Sequence, residues 1–358
     1  MVHIVFIIAV LLAYMSRKKG KILLIMSFFI LFLFSALRYM YGNDYPGYLS
    51  EFNKIKLGIR SLYSEQLFIY LNRISPSFFF MIAVISGVFV LTIYLLVTRN
   101  LSKRYAWLGL FIFVVSPYLF LMNLSAIRQC IAMLLFIAAI PYGMKRKPIP
   151  FCLLLFIGTQ FHKSAFLLFP VYFILSPKPF RRRNVLLVLA ALAIMFQLSA
   201  TNDVALWIAR QFDDSNYVHY ASGELGNSLR ATLLSGIYFV YVLLNMDKLE
   251  GKKLIYAKLA LVSYSMSILA YQLSLFTRVQ MYFDIFTIVA IPTIIERVNA
   301  EGKIYINRAN PQETVWKCIN KYVLPALIIA IYFLRYYSFF TNPMWSSFAD
   351  YQTIFSAP

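Results

Sequence analysis

Residues 17–38 read RKKGKILLIMSFFILFLFSALR: a basic cluster, then an apolar run from Ile22 to Leu37, then a single arginine. A membrane-crossing helix needs about 20 apolar residues, fewer where its ends snorkel or the bilayer thins. The run therefore reads as a short span with a charged entrance on one side and Arg38 on the other. The same pattern recurs along the 358 residues, with apolar runs near Val2 to Met15, Phe78 to Val97, Tyr105 to Met122, Ile127 to Gly143, Ile149 to Phe161, Ser164 to Leu175, Val185 to Leu198, Ala231 to Asn245, Leu254 to Leu273, Val279 to Ile295 and Tyr322 to Leu334. Hydrophobic residues make up 61% of the chain and charged residues 13%, about half the charge of a soluble domain. The expected fold is an all-α, polytopic transmembrane helical bundle of about 12 spans, a single integral membrane domain over residues 1–358.

The net charge of +20 suits nucleic acid by its size, but its distribution does not. Basic residues cluster at 17–21, 99–104, 145–147, 178–183, 248–253 and 297–321, each time after an odd-numbered span. Short loops rich in Lys and Arg face the cytoplasm, which places both termini outside and predicts no nucleic-acid partner. The first apolar run is followed, not preceded, by its charges and has no small-residue cleavage site, so it reads as a span and not as a secretory signal. Cys130 and Cys152 fall in predicted helices and Cys318 on the inner side, so no extracytoplasmic disulfide framework is expected.

Three connections are long. The outer loop 38–77 carries the Gly/Pro-punctuated string Tyr41-Gly42-Asn43-Asp44-Tyr45-Pro46-Gly47-Tyr48 and then Leu62, Leu67, Phe68, Tyr70 and Leu71 at near-helical spacing, an interfacial amphipathic helix. The outer segment 199–230 is the most acidic, and the loop 296–321 is cytoplasmic and polar.

Four helices that descend from the outer face open alike, with a polar capping candidate beside a cation: Asn123 or Ser125 then Arg128, His162 and Lys163 with Ser164, Asn227 or Ser228 then Arg230, and Thr277 then Arg278. A cation there meets the positive end of the helix dipole, unfavourable by roughly 0.3 to 1 kcal/mol, whereas an anion is stabilised. A bound phosphate reverses the sign. Each cation also has a plain alternative, snorkelling or an ion pair with Asp44, Glu51, Glu65 or Asp284. Arg38 closes an ascending helix, where a cation sits comfortably. His162 suits proton transfer near neutrality, and a lone histidine is equally at home as a structural residue. Asp44 and Glu65 can serve as base or as ion-pair partners. No metal-ligand spacing and no phosphate-binding glycine loop is present, so neither a metal nor a cofactor is expected.

These strings resemble the EpsG family of bacterial exopolysaccharide and capsule polymerases, related to the Wzy-type O-antigen polymerases. The resemblance is carried by Leu37-Arg38-Tyr39 with Tyr41-Gly42-Asn43-Asp44-Tyr45 and Tyr48, then Ser64-Glu65, then Asn123-Leu124-Ser125-Ala126-Ile127-Arg128-Gln129 with Ala132, then Phe161-His162-Lys163-Ser164-Ala165, then Arg278 with Tyr282, Phe283 and Pro292. Glu65 lacks a following proline, a departure from the family's pattern. The resemblance implies a membrane glycosyltransferase of the bacterial cytoplasmic membrane that joins undecaprenyl-diphosphate-linked oligosaccharide repeats on the extracytoplasmic face, with a flippase and a chain-length regulator as partners beside membrane lipid. Such a reaction needs a group to accept a sugar hydroxyl's proton and cations to stabilise the departing diphosphate. His162, Asp44 and Glu65 are the expected catalytic candidates. Arg38, Arg128, Lys163, Arg230, Arg278 and Gln129 are expected at the diphosphate, and Tyr45, Tyr48 and Tyr282 at the substrate, with Tyr41 a further candidate for stacking on sugar. The competing readings are a flippase for lipid-linked sugars, which predicts mid-membrane charges and broken helices, another lipid-linked-sugar-dependent glycosyltransferase, and a non-enzymatic scaffold.

Overall fold

The computed structural model describes residues 1–195, 229–272, 275–302 and 311–356. The described chain is an all-α helical membrane protein that divides into two compact units, Met1–Tyr172 with Tyr332–Pro358, and Phe173–Ile331.

In the first unit α1 (Val2–Lys19) and α2 (Lys21–Ala36) are joined through Gly20, whose φ of +103° allows an immediate reversal. The first two predicted spans thus appear as helices of 18 and 16 residues. After β1 (Arg38–Tyr39) come two helices inside the predicted outer loop, α3 (Tyr45–Lys56) and α4 (Gln66–Ile74), then α5 (Phe78–Asn100). Only α4 is legible in the apolar spacing. α3 starts at a Pro-Gly that reads as a turn, yet proline is tolerated in a first helical turn because its missing N–H has no partner to lose there.

The predicted fourth span is not one helix. α6 (Ala106–Val115) stops before Ser116-Pro117, and α7 (Leu121–Ser125) follows, since a residue preceding proline is pushed out of the helical region. α8 (Ile127–Met144) packs antiparallel to α9 (Pro148–Thr159). The predicted seventh span is a 3-10 turn, Lys163–Leu168, followed after Pro170 by the short α10 (Val171–Ile174).

Helix association in lipid relies on dispersion contacts and small residues, because the tails are as apolar as leucine. Ala9 and Ala13 of α1 are fully buried, and a side chain at Gly87 of α5 would meet the Phe32 ring at 3.4 Å. That contact and the Phe28–Tyr94 ring pair set α2 antiparallel to α5. The turn at 17–21 and the end of α5 at Arg99 therefore share one end of this unit, and residues 38–77 lie at the other.

The second unit contains α11 (Arg182–Met195), α12 (Leu229–Asn245), α13 (Gly251–Gln272), α14 (Leu275–Asp284), α15 (Thr287–Ala300) and α16 (Pro311–Cys318). A π-helical turn at Ile319–Val323 leads into α17 (Leu324–Thr341), which runs on into the first unit. The π turn presents Asn320 to Asn245, and the two buried amides exchange hydrogen bonds of 2.8 Å in both directions. Lys258 of α13, also buried, donates to the carbonyls of Ser176 at 2.9 Å and Lys178 at 3.1 Å. The predicted eleventh span is bent by 45° between α14 and α15. Around the bend Phe286, Ile288 and Val289 bond three residues back instead of four, the tightening that marks a local kink.

Among the described residues five helices are long and apolar enough to cross a membrane, or six if the bent pair counts as one span. Four shorter apolar helices accompany them. These helices fall short of the expected count of about 12, and of the segment 199–230 only Leu229 and Arg230 are among the described residues.

Candidate active site

The site is built at one end of the first unit, on the turn after α2. Gly42 has a φ of +99°, and a Cβ there would stand 3.2 Å from Ser125 Cβ and 3.4 Å from the Phe348 ring. Backbone direction and crowding both require glycine. Gly42→Ala is expected to cost about 1 to 3 kcal/mol, to be read as a lowered midpoint of thermal unfolding in detergent. The turn is clamped by the segment after α17. Asn43 donates to Met344 O at 3.0 Å, the Tyr41 hydroxyl to Phe348 O at 3.0 Å, and Arg38–Tyr39 pairs antiparallel with β2 (Gln352–Thr353). The ring of Tyr351 stacks on Phe34 at 4.4 Å.

Arg38 is 1% exposed. Its guanidinium donates to Ser35 O at the end of α2, to Leu124 O at 3.0 Å at the end of α7, and to Ser86 Oγ at 3.0 Å. Two helix C-termini thus share one cation, the favourable end of each dipole. The geometry makes Arg38 a clamp beneath the turn, with no open side toward a ligand. The next residue along, Ser125, accepts a hydrogen bond from the Asp44 backbone amide at 3.0 Å, so it does not cap α8. The N-cap of α8 is Ala126, without a side-chain hydrogen bond. Asp44 itself is exposed, and its carboxylate makes no ion pair among the described residues.

Arg128, in the first turn of α8, is held on three sides. Glu65 accepts from it at 2.8 Å, its Cζ lies 4.2 Å from the centre of the Tyr63 ring, and the Tyr48 hydroxyl sits beside it. Glu65 is buried to 3% side-chain exposure, whereas Arg128 keeps 18%. Burial pushes the Tyr48 and Tyr63 phenols above their usual range, so both stay neutral and, among the described residues, Glu65 is the anion in ion-pair contact. Tyr41, Tyr45 and Tyr48 are themselves buried. The Tyr45 hydroxyl donates to Arg38 O at 3.3 Å. These rings face the protein interior, not outward as stacking on sugar needs.

His162 and Lys163 approach Arg128 through a close helix crossing. A side chain at Gly158 of α9 would lie 3.5 Å from Ala165 Cβ and 3.8 Å from Ala132 O of α8. Arg128 is one turn before Ala132. His162, whose amide still bonds Gly158 O at 2.9 Å, is one turn after Gly158. In an antiparallel pair both offsets run toward the same end, about 6 Å beyond the crossing at 1.5 Å per residue. His162 is buried, with Nδ1 2.6 Å from Ser164 Oγ, and Lys163 is half-buried beside it. Gln129 is buried on α8 next to Arg128.

The remaining expected residues belong to the second unit. Arg230 is exposed in the first turn of α12, Arg278 is half-buried in α14, and Tyr282 is fully buried. Thr277 lies within α14 and not at a cap, and Asn227 and Ser228 lie outside the described residues. Asp284 ends α14 and accepts from Ser263 and from Gln280 at 3.3 Å.

Three parts of this arrangement escape a reading of the sequence: Tyr63 as the platform under Arg128, Ser86 as a partner of Arg38, and residues 343–356 as a clamp. Tyr63 follows a turn and carries no helical period. Ser86 is one small polar residue in an apolar run, and the clamp is 307 residues from its partner Tyr41.

The EpsG family model matches residues 21–353. No match is found among curated proteins or among solved structures.

Proposed function

The chain belongs to the EpsG family, and from that membership and the gathering of Arg128, His162, Lys163 and Asp44 at one end of one unit we propose that it polymerises undecaprenyl-diphosphate-linked oligosaccharide repeats. In this reading a sugar hydroxyl of one lipid-linked repeat attacks the anomeric carbon of the growing chain. The carbon–oxygen bond to undecaprenyl diphosphate breaks, and the hydroxyl proton passes to a base. Arg128 and Lys163 stabilise the charge on the departing diphosphate. His162 is the base, its ring held through Nδ1 by Ser164, as a general base is commonly oriented by a third group. Asp44, an exposed carboxylate on a pinned backbone, is the second candidate.

The observation that carries the reading is the Ala132–Gly158 crossing, which brings a guanidinium and an imidazole from two helices to one end. In this reading the reaction takes place on the extracytoplasmic face of a bacterial cytoplasmic membrane, which the basic clusters at 17–21 and 99–104, at the other end of the unit, support. A flippase delivers the substrate to that face, and a regulator of chain length acts with the enzyme.

The test is the purified full-length protein in liposomes with a defined lipid-linked repeat. Polymer is expected, with His162→Ala slower than Asp44→Asn. Translocation of the repeat without elongation overturns the proposal in favour of a flippase. A membrane-impermeant maleimide applied to intact cells is expected to label Ser50→Cys, and protection of that site from the outside reverses the assigned face.

A further inference from the structure

Glu51 of α3 is a buried carboxylate, 4% exposed, to which the proposed chemistry gives no role. It accepts from Lys54 Nζ at 2.7 Å, from the Leu62 amide at 2.9 Å and from Ser61 Oγ at 3.2 Å. Two of these three partners lie on the return that follows α3, where Gly58 at a φ of +74° reverses the chain. Ser61 Oγ in turn accepts the Tyr63 amide at 3.0 Å. A carboxylate loses solvation when it is buried, and hydrogen bonds to its charged form offset that cost. Here the Lys54 ammonium on the same helix supplies the largest share of the offset, and both remaining donors come from one segment, so the charge also fixes where residues 61–63 run. They end under Arg128, with the Tyr63 ring braced by Tyr48 at 5.9 Å and Phe68 at 5.4 Å.

We propose that Glu51 is a positioning residue for Arg128, acting through the 61–63 segment and the Tyr63 ring. The proposal rests on the reading of Arg128 as the cation at the diphosphate. Glu65 holds the guanidinium by its edge, and the Tyr63 face sets its tilt. Glu51 touches neither Arg128 nor substrate. Its effect on the reaction is the aim of a guanidinium whose donors lie in one plane, so a tilted plane misses a bidentate partner.

Two measurements on the full-length protein test this. The first reads Arg128 itself, as its rate of modification by phenylglyoxal followed by peptide mass. Glu51→Ala and Tyr63→Leu are expected to raise that rate at least threefold, and Glu51→Gln, which still accepts from Leu62 and Ser61, to leave it near wild type. The second reads polymer formation. Glu51→Ala is expected to lower kcat/KM about tenfold, within the range that small misplacements cost. The pair Glu51→Ala with Tyr63→Leu is expected to be no slower than Tyr63→Leu alone, because both act along one path. Unchanged Arg128 reactivity in Glu51→Ala, or additive losses in the pair, overturns the proposal. A wild-type protein that makes no polymer overturns the proposed function instead, and the phenylglyoxal rates still decide the role of Glu51.

Discussion

Replacing Arg128 and Glu65 together by leucine is expected to leave a folded protein that forms polymer about 10²- to 10³-fold more slowly, the usual loss when one donor to developing charge is removed. The paired change matters because the single one is ambiguous. Arg128→Leu strands a carboxylate of 3% side-chain exposure, and an orphaned buried partner costs about 3 to 5 kcal/mol. Loss of activity in that variant would mix chemistry with unfolding. Two leucines remove both charges and fill the space, a replacement that is often neutral or stabilising. Arg128→Lys is expected to fall between, since an ammonium cannot lie flat on Tyr63 while donating to Glu65. The measurement is polymer yield against a thermal melt on the same preparations. A double leucine variant that is stable and fully active leaves Arg128 as a structural pair alone.

Arg38→Met is expected to give a loss of stability as large as that of Arg128→Leu. Its guanidinium serves the last carbonyls of two helices, and a buried carbonyl left without a partner costs about 1 to 3 kcal/mol. Two of them amount to about 2 to 6 kcal/mol, to be read as a lowered unfolding midpoint in detergent and a loss of protein from the membrane fraction. Arg38→Lys recovers part of this, because a point charge satisfies one carbonyl well and the second poorly. Where the variant folds, its KM for the lipid-linked repeat is expected to match wild type. An equal midpoint with a raised KM would instead return Arg38 to the diphosphate.

The class of fold was legible because lipid leaves the backbone few choices: apolar runs must become helices. Their continuity was less legible. Ser116-Pro117 and Pro170 interrupt runs that hydropathy joins, and the bend after Asp284 follows from local hydrogen bonding that no apolar count registers. The site followed the same division. Arg128, His162 and Lys163 stand out in the sequence as costly charges at the ends of apolar runs, and all three belong to the first unit. Arg38 stood out equally and is spent on carbonyls. The tyrosines of the 41–48 string have the composition of a sugar platform, but the strap at 343–356 and the Arg128 cage bury them.

That strap also sets an order of events during synthesis. The Tyr41 turn leaves the ribosome 307 residues before Phe348, roughly 15 to 60 s earlier at 5 to 20 residues per second. Throughout that interval the turn lacks its outer strand, its Asn43 anchors and the ring that covers Gly42. This end of the first unit thus waits, half-formed, for residues 343–356, and a ribosome that stalls before them releases a membrane-inserted product in which the turn has never closed.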